Sequence, residues 1–442
     1  MMPELARFRK YARKMRNLRD RRALRSLFLE AYSVLQLCAI NGPLFPNLRK
    51  LELHSVITEF IPFVSLFLSP RITAIVITFA QSISHKVMVT SIFATLPTLC
   101  PNLQEISLCK LPRDSMVIAA VSRMLLASNR NALRTLHVDS PLTEEAREMI
   151  CRLPNLRHLT VVIERGTSLP LLVLPSLTSL NIEYDSDSGW SKGFRGAILG
   201  KLETISFDAR SEQIGDFLGE FERVALTTSI QDTLSTFNFN TLRSWRPNYR
   251  SLLPFTQLAN LIVEFNCSYG CSSTVDDDLI ATLARAMPKL ETLELGDPPC
   301  DETPTGVTVK GLVILAHHCL DLSTLRVHFQ VASLSAPPTI TGVASDAVST
   351  ALRRGCALTD LNVGEVHVPE ESVLMVSLTL ALIFPRVARV NSLDDDKWEK
   401  VIDAILLSRQ IVDCSSRDHP LPTSRSDLTD PSPGGAQVDG GS

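Results

Sequence analysis

The sequence predicts an α/β fold in which short parallel strands and helices alternate along a solenoid of repeats. One phrase of the form x-L-x-x-L-x-L recurs thirteen times along the chain. Segments with helical patterning separate many of these phrases. The chain has 442 residues, whereas a single hydrophobic core stops growing near about 250–300 residues. A repeat array accommodates this length, because it grows by adding units that contact only their neighbours.

The thirteen phrases share apolar residues at fixed positions, and a proline, cysteine or polar residue often precedes them. They are FPNLRKLEL at 45–53, SPRITAIVI at 69–77, CPNLQEISL at 100–108, RNALRTLHV at 130–138, LPNLRHLTV at 153–161, LPSLTSLNI at 174–182, LGKLETISF at 199–207, QDTLSTFNF at 231–239, FTQLANLIV at 255–263, MPKLETLEL at 287–295, CLDLSTLRV at 319–327, GCALTDLNV at 355–363 and the weaker FPRVARV at 384–390. Their first apolar anchors lie 21 to 36 residues apart, with a mean of about 28. Leucine-rich repeats are about 20–29 residues long, so we predict a leucine-rich-repeat solenoid in which several units carry insertions.

Each phrase predicts a strand with one buried side and one exposed side. In x-L-x-L, alternate residues point to the same side of a strand. The apolar residues therefore enter the core, and the polar residues between them face outwards. We expect a horseshoe with a parallel sheet on its concave side and helices on its convex side.

Six segments between the phrases are predicted to be helices. Asp114 is a favourable N-cap residue, and acidic residues after Thr143 and Asp276 complement the positive end of the helix dipole. The predicted ranges are 114–127, 143–151, 276–287, 307–318, 342–354 and 371–384. This alternation of strand and helix is the pattern that an α/β solenoid requires.

Both ends of the chain depart from the repeat pattern. Near the N-terminus, Phe8, Tyr11, Met15 and Leu18 lie at helical spacing among basic residues. Near the C-terminus, an amphipathic segment is followed by a stretch rich in Ser, Pro, Gly and Asp. The predicted division is a basic helical N-terminal cap at 1–40, the solenoid at 41–392, a C-terminal capping helix at 393–412 and a disordered tail at 413–442.

Positive charge is concentrated at the start of the chain. Residues 1–25 contain ten Lys/Arg and two Asp/Glu, although the whole chain has a formal net charge of −3. We interpret this segment as a cap with a solvated basic face. The alternative is binding of nucleic acid or an acidic surface. Salt-dependent binding to an anionic polymer would distinguish this alternative.

Cysteine usage and hydropathy indicate a reducing compartment and no membrane span. Ten cysteines are scattered without a disulfide framework. The basic N-terminus has no apolar signal segment behind it. The longest apolar run, 373–384, has 12 residues, whereas a spanning helix needs about 20. We therefore expect a cytoplasmic or nuclear protein without a membrane partner. Four cysteines beside repeat anchors are expected to pack as small hydrophobes, namely Cys100, Cys151, Cys319 and Cys356.

The sequence contains no phosphate-loop, dinucleotide-binding, nucleophile-elbow or zinc-protease motif. The segment 196–201 is one residue short of a phosphate loop. Cys267 and Cys271 lack a second pair of ligands for a tetrahedral zinc ion. The aspartate runs 276–278 and 394–396 are explained as helix starts. We therefore predict no enzymatic activity, no cofactor and no metal.

Several segments resemble the F-box/leucine-rich-repeat proteins of mushroom-type fungi. FRKYARKMRNL at 8–18 resembles the segment that joins the F-box to the first repeat. The stretch 153–196, with Trp190, and LLPFTQLANLIV at 252–263 resemble internal repeats, and the likeness covers about residues 8–412. The resemblance implies a substrate receptor of a cullin–RING ubiquitin ligase. Only seven residues precede the joining segment, so we expect adaptor binding only if an upstream F-box exists.

The polar residue between the two core anchors of each strand is the candidate contact with a partner. These side chains are expected on the concave face, where a protein substrate or partner would bind. Their charges are mixed, so they do not indicate one class of ligand. The candidates are Glu52, Ser107, His137, Thr160, Asn181, Ser206, Glu294, Arg326 and Asn362.

Overall fold

The structure is a computed structural model of the chain. It describes residues 2–19, 35, 43–80, 86–184, 190–209, 217–241, 247–265, 275–296, 306–335, 355–364, 368–392 and 396–417. The predicted helix at 342–354 and most of the predicted disordered tail lie outside these ranges.

Fourteen parallel strands form one sheet, in which neighbouring strands follow the order of the chain. They are β1 (Asn17–Arg19), β2 (Lys50–Val56), β3 (Ala74–Phe79), β4 (Glu105–Cys109), β5 (Thr135–Val138), β6 (His158–Ile163), β8 (Ser179–Tyr184), β10 (Thr204–Ala209), β11 (Thr236–Thr241), β12 (Asn260–Phe265), β13 (Thr292–Leu295), β14 (Thr324–Val327), β15 (Asp360–Gly364) and β16 (Arg389–Ser392). Strands β7 (Val173–Leu174) and β9 (Ile198–Leu199) form a separate parallel pair. All thirteen phrases are strands of the large sheet, which confirms the α/β leucine-rich-repeat solenoid.

Helices connect most of the strands and pack against one another outside the sheet. They are α1 (Met2–Ala12), α2 (Ile61–Phe67), α3 (Lys86–Leu99), α4 (Ser115–Ala127), α5 (Glu144–Ile150), α6 (Phe217–Thr228), α7 (Asp277–Ala286), α8 (Val309–His318), α9 (Val331–Ser335), α10 (Val373–Ile383) and α11 (Asp396–Arg417). Short 3-10 turns occur at Thr58–Phe60, Ser191–Phe194, Ile230–Asp232, Tyr249–Leu252 and Glu370–Ser372. Within the described ranges, no helix is long and apolar enough to cross a membrane.

The two ends differ in detail from the sequence prediction. Helix α1 is the predicted basic helix, but Leu18 lies in β1 and not on a helical stripe, because Asn17–Arg19 pairs with β2. Helix α11 continues to Arg417, five residues beyond the predicted end of the capping helix. The division into four domains remains a prediction.

The apolar anchors form continuous ladders through the core. All thirteen first anchors, from Leu48 to Val387, are at most 4% exposed. The next two apolar positions, occupied in β5 by Leu136 and Val138, are buried as well. Each unit therefore closes its apolar side only by stacking on the next unit, as expected of a solenoid.

A repeated backbone contact sets the register between units. The carbonyl oxygen of Gln104 accepts hydrogen bonds from the N–H groups of Arg134 (2.8 Å) and Thr135 (2.9 Å). The same arrangement, one carbonyl accepting from two consecutive residues of the next unit, occurs at all thirteen junctions of the large sheet, from Arg16 to Thr359. The first residue of each strand is consequently aligned with the first residue of the neighbouring strand.

The asparagine of the Pro-Asn-Leu phrase also links neighbouring units. Asn102 donates from its side-chain amide to the carbonyl oxygen of Pro70 at 3.1 Å. Asn155 donates in the same way to Asn131 at 2.9 Å. These bonds explain why a polar residue follows the proline immediately before a buried leucine.

The different widths of strands and helices account for the horseshoe curvature. Neighbouring strands lie about 4.8 Å apart, whereas packed helices lie about 8–10 Å apart. Stacked units with strands on one side and helices on the other therefore bend towards the sheet. The sheet lines the concave face.

We predict that Leu156→Asp or Leu290→Asp unfolds the neighbouring repeats. Both leucines are fully buried, and an unpaired carboxylate between stacked units costs at least about 3 kcal/mol of unfolding free energy. Thermal melts followed by circular dichroism measure the effect. The control is Arg157→Asp at an exposed position, where a change within about 0.5 kcal/mol is expected. Melts of both leucine variants that match the parent would refute the core assignment.

Candidate functional site

The residue between the two core anchors of each strand belongs to a single row across the sheet, which we call the contact row. The register pairs Ser107 with His137, His137 with Thr160, Thr160 with Asn181, and Asn181 with Ser206. The row continues in both directions across all fourteen strands. Its members are Arg19, Glu52, Val76, Ser107, His137, Thr160, Asn181, Ser206, Asn238, Ile262, Glu294, Arg326, Asn362 and Asn391.

The structure places all nine sequence-predicted candidates in the contact row. Each of them is partly exposed, while the residues before and after it in the strand are buried. Glu52 and Asn362, which are 310 residues apart in the sequence, thus lie on the same line. A binding role for these residues remains a prediction.

Sequence reasoning missed five members of the row. Asn238 occupies the same position of its phrase as the candidates, so the signal was present. Val76 and Ile262 are apolar and fail a search for polar residues. Arg19 lies in a strand where a helix was predicted, and Asn391 follows the weakest phrase. Val76 and Ile262 were therefore missed because only polar residues were sought. Arg19 was missed because strand pairing overrode the helical pattern, and Asn391 because its phrase is weak.

An ion-pair cluster lies at the N-terminal end of the contact row. The carboxylate of Glu52 contacts Lys50 Nζ at 2.9 Å and Arg19 Nε at 3.0 Å. The hydrogen bond from Lys50 holds the pKa of Glu52 below its usual value, against the opposing effect of burial. The same bond raises the pKa of Lys50. Both groups are therefore firmly charged at neutral pH.

A second cluster, near the C-terminal end, has two carboxylates and one arginine. Arg326 Nη1 lies 3.1 Å from Glu264 Oε1 and 3.8 Å from Glu294 Oε2. Burial raises the pKa of Glu294 and the carboxylate of Glu264 adds to this effect, while Arg326 opposes it. The cluster carries surplus negative charge when both carboxylates are ionised.

A second row of side chains runs beside the contact row, two residues further along the strands. In β6, β8, β10, β11 and β12 it consists of Val162, Glu183, Asp208, Asn240 and Glu264. Three of these five residues carry carboxylates, and none carries a positive charge. Val162 and Glu183 are buried, so the acidic groups that this row exposes on the concave face are Asp208 and Glu264, which sequence reasoning from the contact row alone did not show.

The aspartates at the start of α7 serve as helix caps. Asp276 Oδ1 accepts from the N–H of Leu279 at 2.8 Å. Asp277 Oδ1 accepts from the N–H groups of Thr308 (2.8 Å) and Gly311 (3.0 Å) at the start of α8. A Cβ at Gly311 would lie 2.5 Å from Asp277 Oδ1, so glycine is needed there. This agrees with the predicted helix start.

The remaining candidates for metal or phosphate binding have structural explanations or fall outside the described ranges. A Cβ at Gly200 would lie 2.0 Å from the carbonyl oxygen of Pro175, so this glycine permits close packing beside the β7–β9 pair. Cys267, Cys271 and residues 394–395 are not described. Among the residues that are, no group of three or more His, Cys, Asp or Glu side chains is arranged to hold a metal ion.

The basic N-terminal helix packs its apolar side on the first repeat. The ring of Phe8 makes an edge contact with Phe45, with centroids 6.1 Å apart. The basic residues Arg7, Lys10 and Arg13 are exposed. This geometry fits the interpretation as a cap with a solvated basic face.

We predict opposite pH dependences for Glu294→Gln and Glu52→Gln. The folded-state pKa of Glu294 is raised, so ionising it costs stability as the pH rises, and the glutamine variant avoids this cost. The folded-state pKa of Glu52 is lowered, so its ionised form stabilises the fold, and this contribution is lost as the pH falls. As the pH rises from about 4 to about 7, Glu294→Gln should gain melting temperature relative to the parent, whereas the melting-temperature deficit of Glu52→Gln relative to the parent should be constant in that range and shrink only as the pH falls below about 4. Equal slopes for the two variants would contradict the assignment of the clusters.

Comparisons with known proteins find similarity among solved structures alone. No protein-family model matches the sequence, and no curated protein matches it. Among solved structures, the chain is similar to an internalin from Listeria monocytogenes, with 13% sequence identity and a TM-score of 0.39. This likeness covers 80% of this chain and 82% of that chain. The fold assignment therefore rests on the fourteen-stranded sheet itself.

Proposed function

We propose that this chain is a protein-binding scaffold and that the contact row and the second row hold its partner. The observation that carries the proposal is the alignment of fourteen partly or fully exposed side chains along one line of the sheet. The strand backbones already pair with one another, so the side chains of this face supply recognition. The proposed role is binding alone.

The dimensions of the row suit a protein partner. Thirteen strand spacings of about 4.8 Å give a row about 60 Å long. Stable protein interfaces bury about 800 Å² on each partner, which a surface of this length accommodates. A small molecule, by contrast, binds in a closed concave pocket.

The chemistry of the two rows favours a partner that is polar and locally basic. Hydroxyl and amide groups predominate between Thr160 and Asn238 in the contact row. Beside them, the partly exposed Asp208 and Glu264 supply negative charge. Complementary potentials across an interface determine which partner binds and how fast it associates. A partner segment with Lys or Arg and with hydrogen-bond donors matches this surface.

The more specific form of the proposal is a substrate receptor of a cullin–RING ubiquitin ligase. Its support is the resemblance of residues 8–18 and of the repeats to F-box/leucine-rich-repeat proteins. In this role the concave face holds the substrate, and an F-box linked to the N-terminal segment holds the ligase adaptor. The cap formed by α1 and β1 continues directly into the sheet, which would connect the two functions rigidly.

We predict that Thr160→Arg, Asn181→Arg and Ser206→Arg together abolish partner binding. Three bulky cations in the middle of the contact row would clash with a docked chain and repel a basic one, with an expected loss of at least about tenfold in partner recovery. Affinity purification with quantitative mass spectrometry compares the variant with the parent.

A matched control carries three arginines on the helices, at Val87, Met116 and Leu226, whose side chains are 68%, 55% and 55% exposed. It should retain the partners of the parent. Thermal melts establish that both triple variants are folded. Equal recovery of all partners by the concave and control variants would refute the proposed binding face.

The same purification tests the ligase role separately. In a form of the protein that includes an F-box upstream of the N-terminal segment, we expect the ligase adaptor and a cullin to copurify equally with the unsubstituted protein and with the concave triple variant, because the substitutions lie outside the N-terminal segment. Only the substrate should be lost. If partners depend on the concave face but neither adaptor nor cullin is recovered, the scaffold proposal stands and the ligase proposal fails.

A further inference from the structure

The outer side of helix α10, on the convex face of the solenoid, is apolar although it is exposed to solvent. Leu374, Leu378 and Leu382 are between 43% and 63% exposed. They are four residues apart, so they lie along one side of the helix and form what we call the leucine ridge. The opposite side of α10, which includes Val376 and Leu380, is fully buried. Helix α10 is therefore apolar on all sides, a pattern typical of a helix that is covered on all sides.

The outer side of α10 differs from that of the other long helices. Among the described helices of ten or more residues, α10 alone contains no charged residue. On the convex side, exposed basic residues occur in α3, α4, α6, α7 and α8, namely Lys86, Arg123, Arg223, Arg285 and Lys310. A contiguous apolar patch on an otherwise charged surface marks an interaction site.

Helix α11 packs beside α10 and adds to the apolar surface. Lys400 Nζ lies 2.6 Å from Glu370 Oε1, so this side of α11 faces the start of α10. Leu407 lies seven residues after Lys400, on the same side of α11, and is exposed. Both helices follow strands of the same parallel sheet and therefore run in the same direction. Leu407 consequently lies level with the middle of the leucine ridge.

Opposite charges stand at the two ends of the leucine ridge. At its start, Glu370 is occupied by its ion pair with α11, whereas the exposed Glu371 forms no ion pair within the described ranges. At its end, Arg389 is paired with Asp360, whereas the exposed Arg386 forms no ion pair in the same ranges. Each end thus presents one charged side chain that is available to a partner.

These features complement themselves when two copies of α10 meet in opposite directions. With Leu378 at the centre of the contact, Leu374 of each copy meets Leu382 of the other. Glu371 lies seven residues before Leu378, and Arg386 lies eight residues after it. The glutamate of each copy therefore lies near the arginine of the other, at both ends of the contact. A two-fold symmetric interface requires such a patch, because both copies use the same surface.

We propose that the leucine ridge is the contact between two copies of this chain in a two-fold symmetric dimer, with α10 antiparallel to α10 of the other copy. Ridges of residues four apart pack between one another in the commonest class of helix contacts. The interface is centred on a helix of 11 residues, which is about 16 Å long. Its area is at the small end of protein interfaces, so the dimer dissociates on dilution.

Dimerisation through α10 leaves the concave face free, because the helix lies on the convex side. One dimer then displays two contact rows. A partner with two binding segments would engage both rows and bind with higher avidity than to one chain. The inference does not depend on the proposed function, since it concerns the association of the chain with itself.

Analytical ultracentrifugation of the full chain tests the association. Between about 1 and about 100 μM, the mean mass should rise from 48.8 kDa towards twice that value. Leu378→Arg places two like charges across the symmetry axis and should weaken the dimer at least about tenfold. The control is Leu226→Arg at an exposed leucine of α6, which should leave the association unchanged. Thermal melts confirm that both variants are folded.

Two results of this experiment would overturn the proposal. A mean mass that stays at the monomer value at every concentration would mean that another protein or another segment of the chain covers the leucine ridge. Association of Leu378→Arg with the affinity of the parent would place the interface elsewhere on the molecule.

Charge reversal tests the antiparallel arrangement. Glu371→Arg places a second cation near Arg386 of the other copy, and Arg386→Glu places a second anion near Glu371. Each single variant should weaken the dimer at least about threefold. The double variant Glu371→Arg/Arg386→Glu restores opposite charges and should recover the affinity of the parent. A mixture of the two single variants should associate more tightly than either alone. Unchanged affinity in both single variants, or no recovery in the double variant, would overturn this arrangement.

Discussion

The structure depends on one backbone contact, in which a single carbonyl oxygen accepts hydrogen bonds from two consecutive N–H groups of the next unit. It recurs at all thirteen junctions of the large sheet. Because side chains alternate between the two faces of a strand, a slip of one residue would exchange the buried and exposed faces of a unit. The shared carbonyl and the leucine ladders oppose such a slip together. The contact row exists because this register is kept at all thirteen junctions.

The same constraint explains where the repeats differ from one another. The strands begin in register with one another although the anchors are 21 to 36 residues apart. The additional residues of the longer repeats therefore lie away from the concave face. In the described residues before and after β8, strand β7 on one side and a 3-10 turn with strand β9 on the other stand in place of long helices. There Trp190 packs on Phe207 and Phe217, with ring centroids 5.2 Å and 4.9 Å apart. Lengthening a loop costs little closure entropy, so the helical side can vary while the sheet remains regular.

Most of the fold and the contact row could be predicted from the sequence, because both follow from local periodicity. All thirteen phrases became strands, and the polar position within each phrase located nine row members correctly. Strand β1 was missed because Asn17–Arg19 pairs with β2, a tertiary contact that overrides the helical spacing around Leu18. Contacts between side chains on different strands could not be predicted from local sequence patterns. Glu264 and Arg326 are 62 residues apart, so only the register brings them together.

Disulfide trapping within the contact row tests this account most directly. In the register described, Asn181 and Ser206 face each other on adjacent strands, with Cα atoms about 4.8 Å apart, inside the range that a disulfide bridges. Asp208 lies two residues further along, which gives a Cα separation of about 8 Å from Asn181, beyond that range. The account predicts that the Asn181→Cys/Ser206→Cys variant forms the bridge under mild oxidation, as mapped by mass spectrometry, and that Asn181→Cys/Asp208→Cys does not. Efficient bridging in the second pair but not in the first would contradict the register and the contact row built on it.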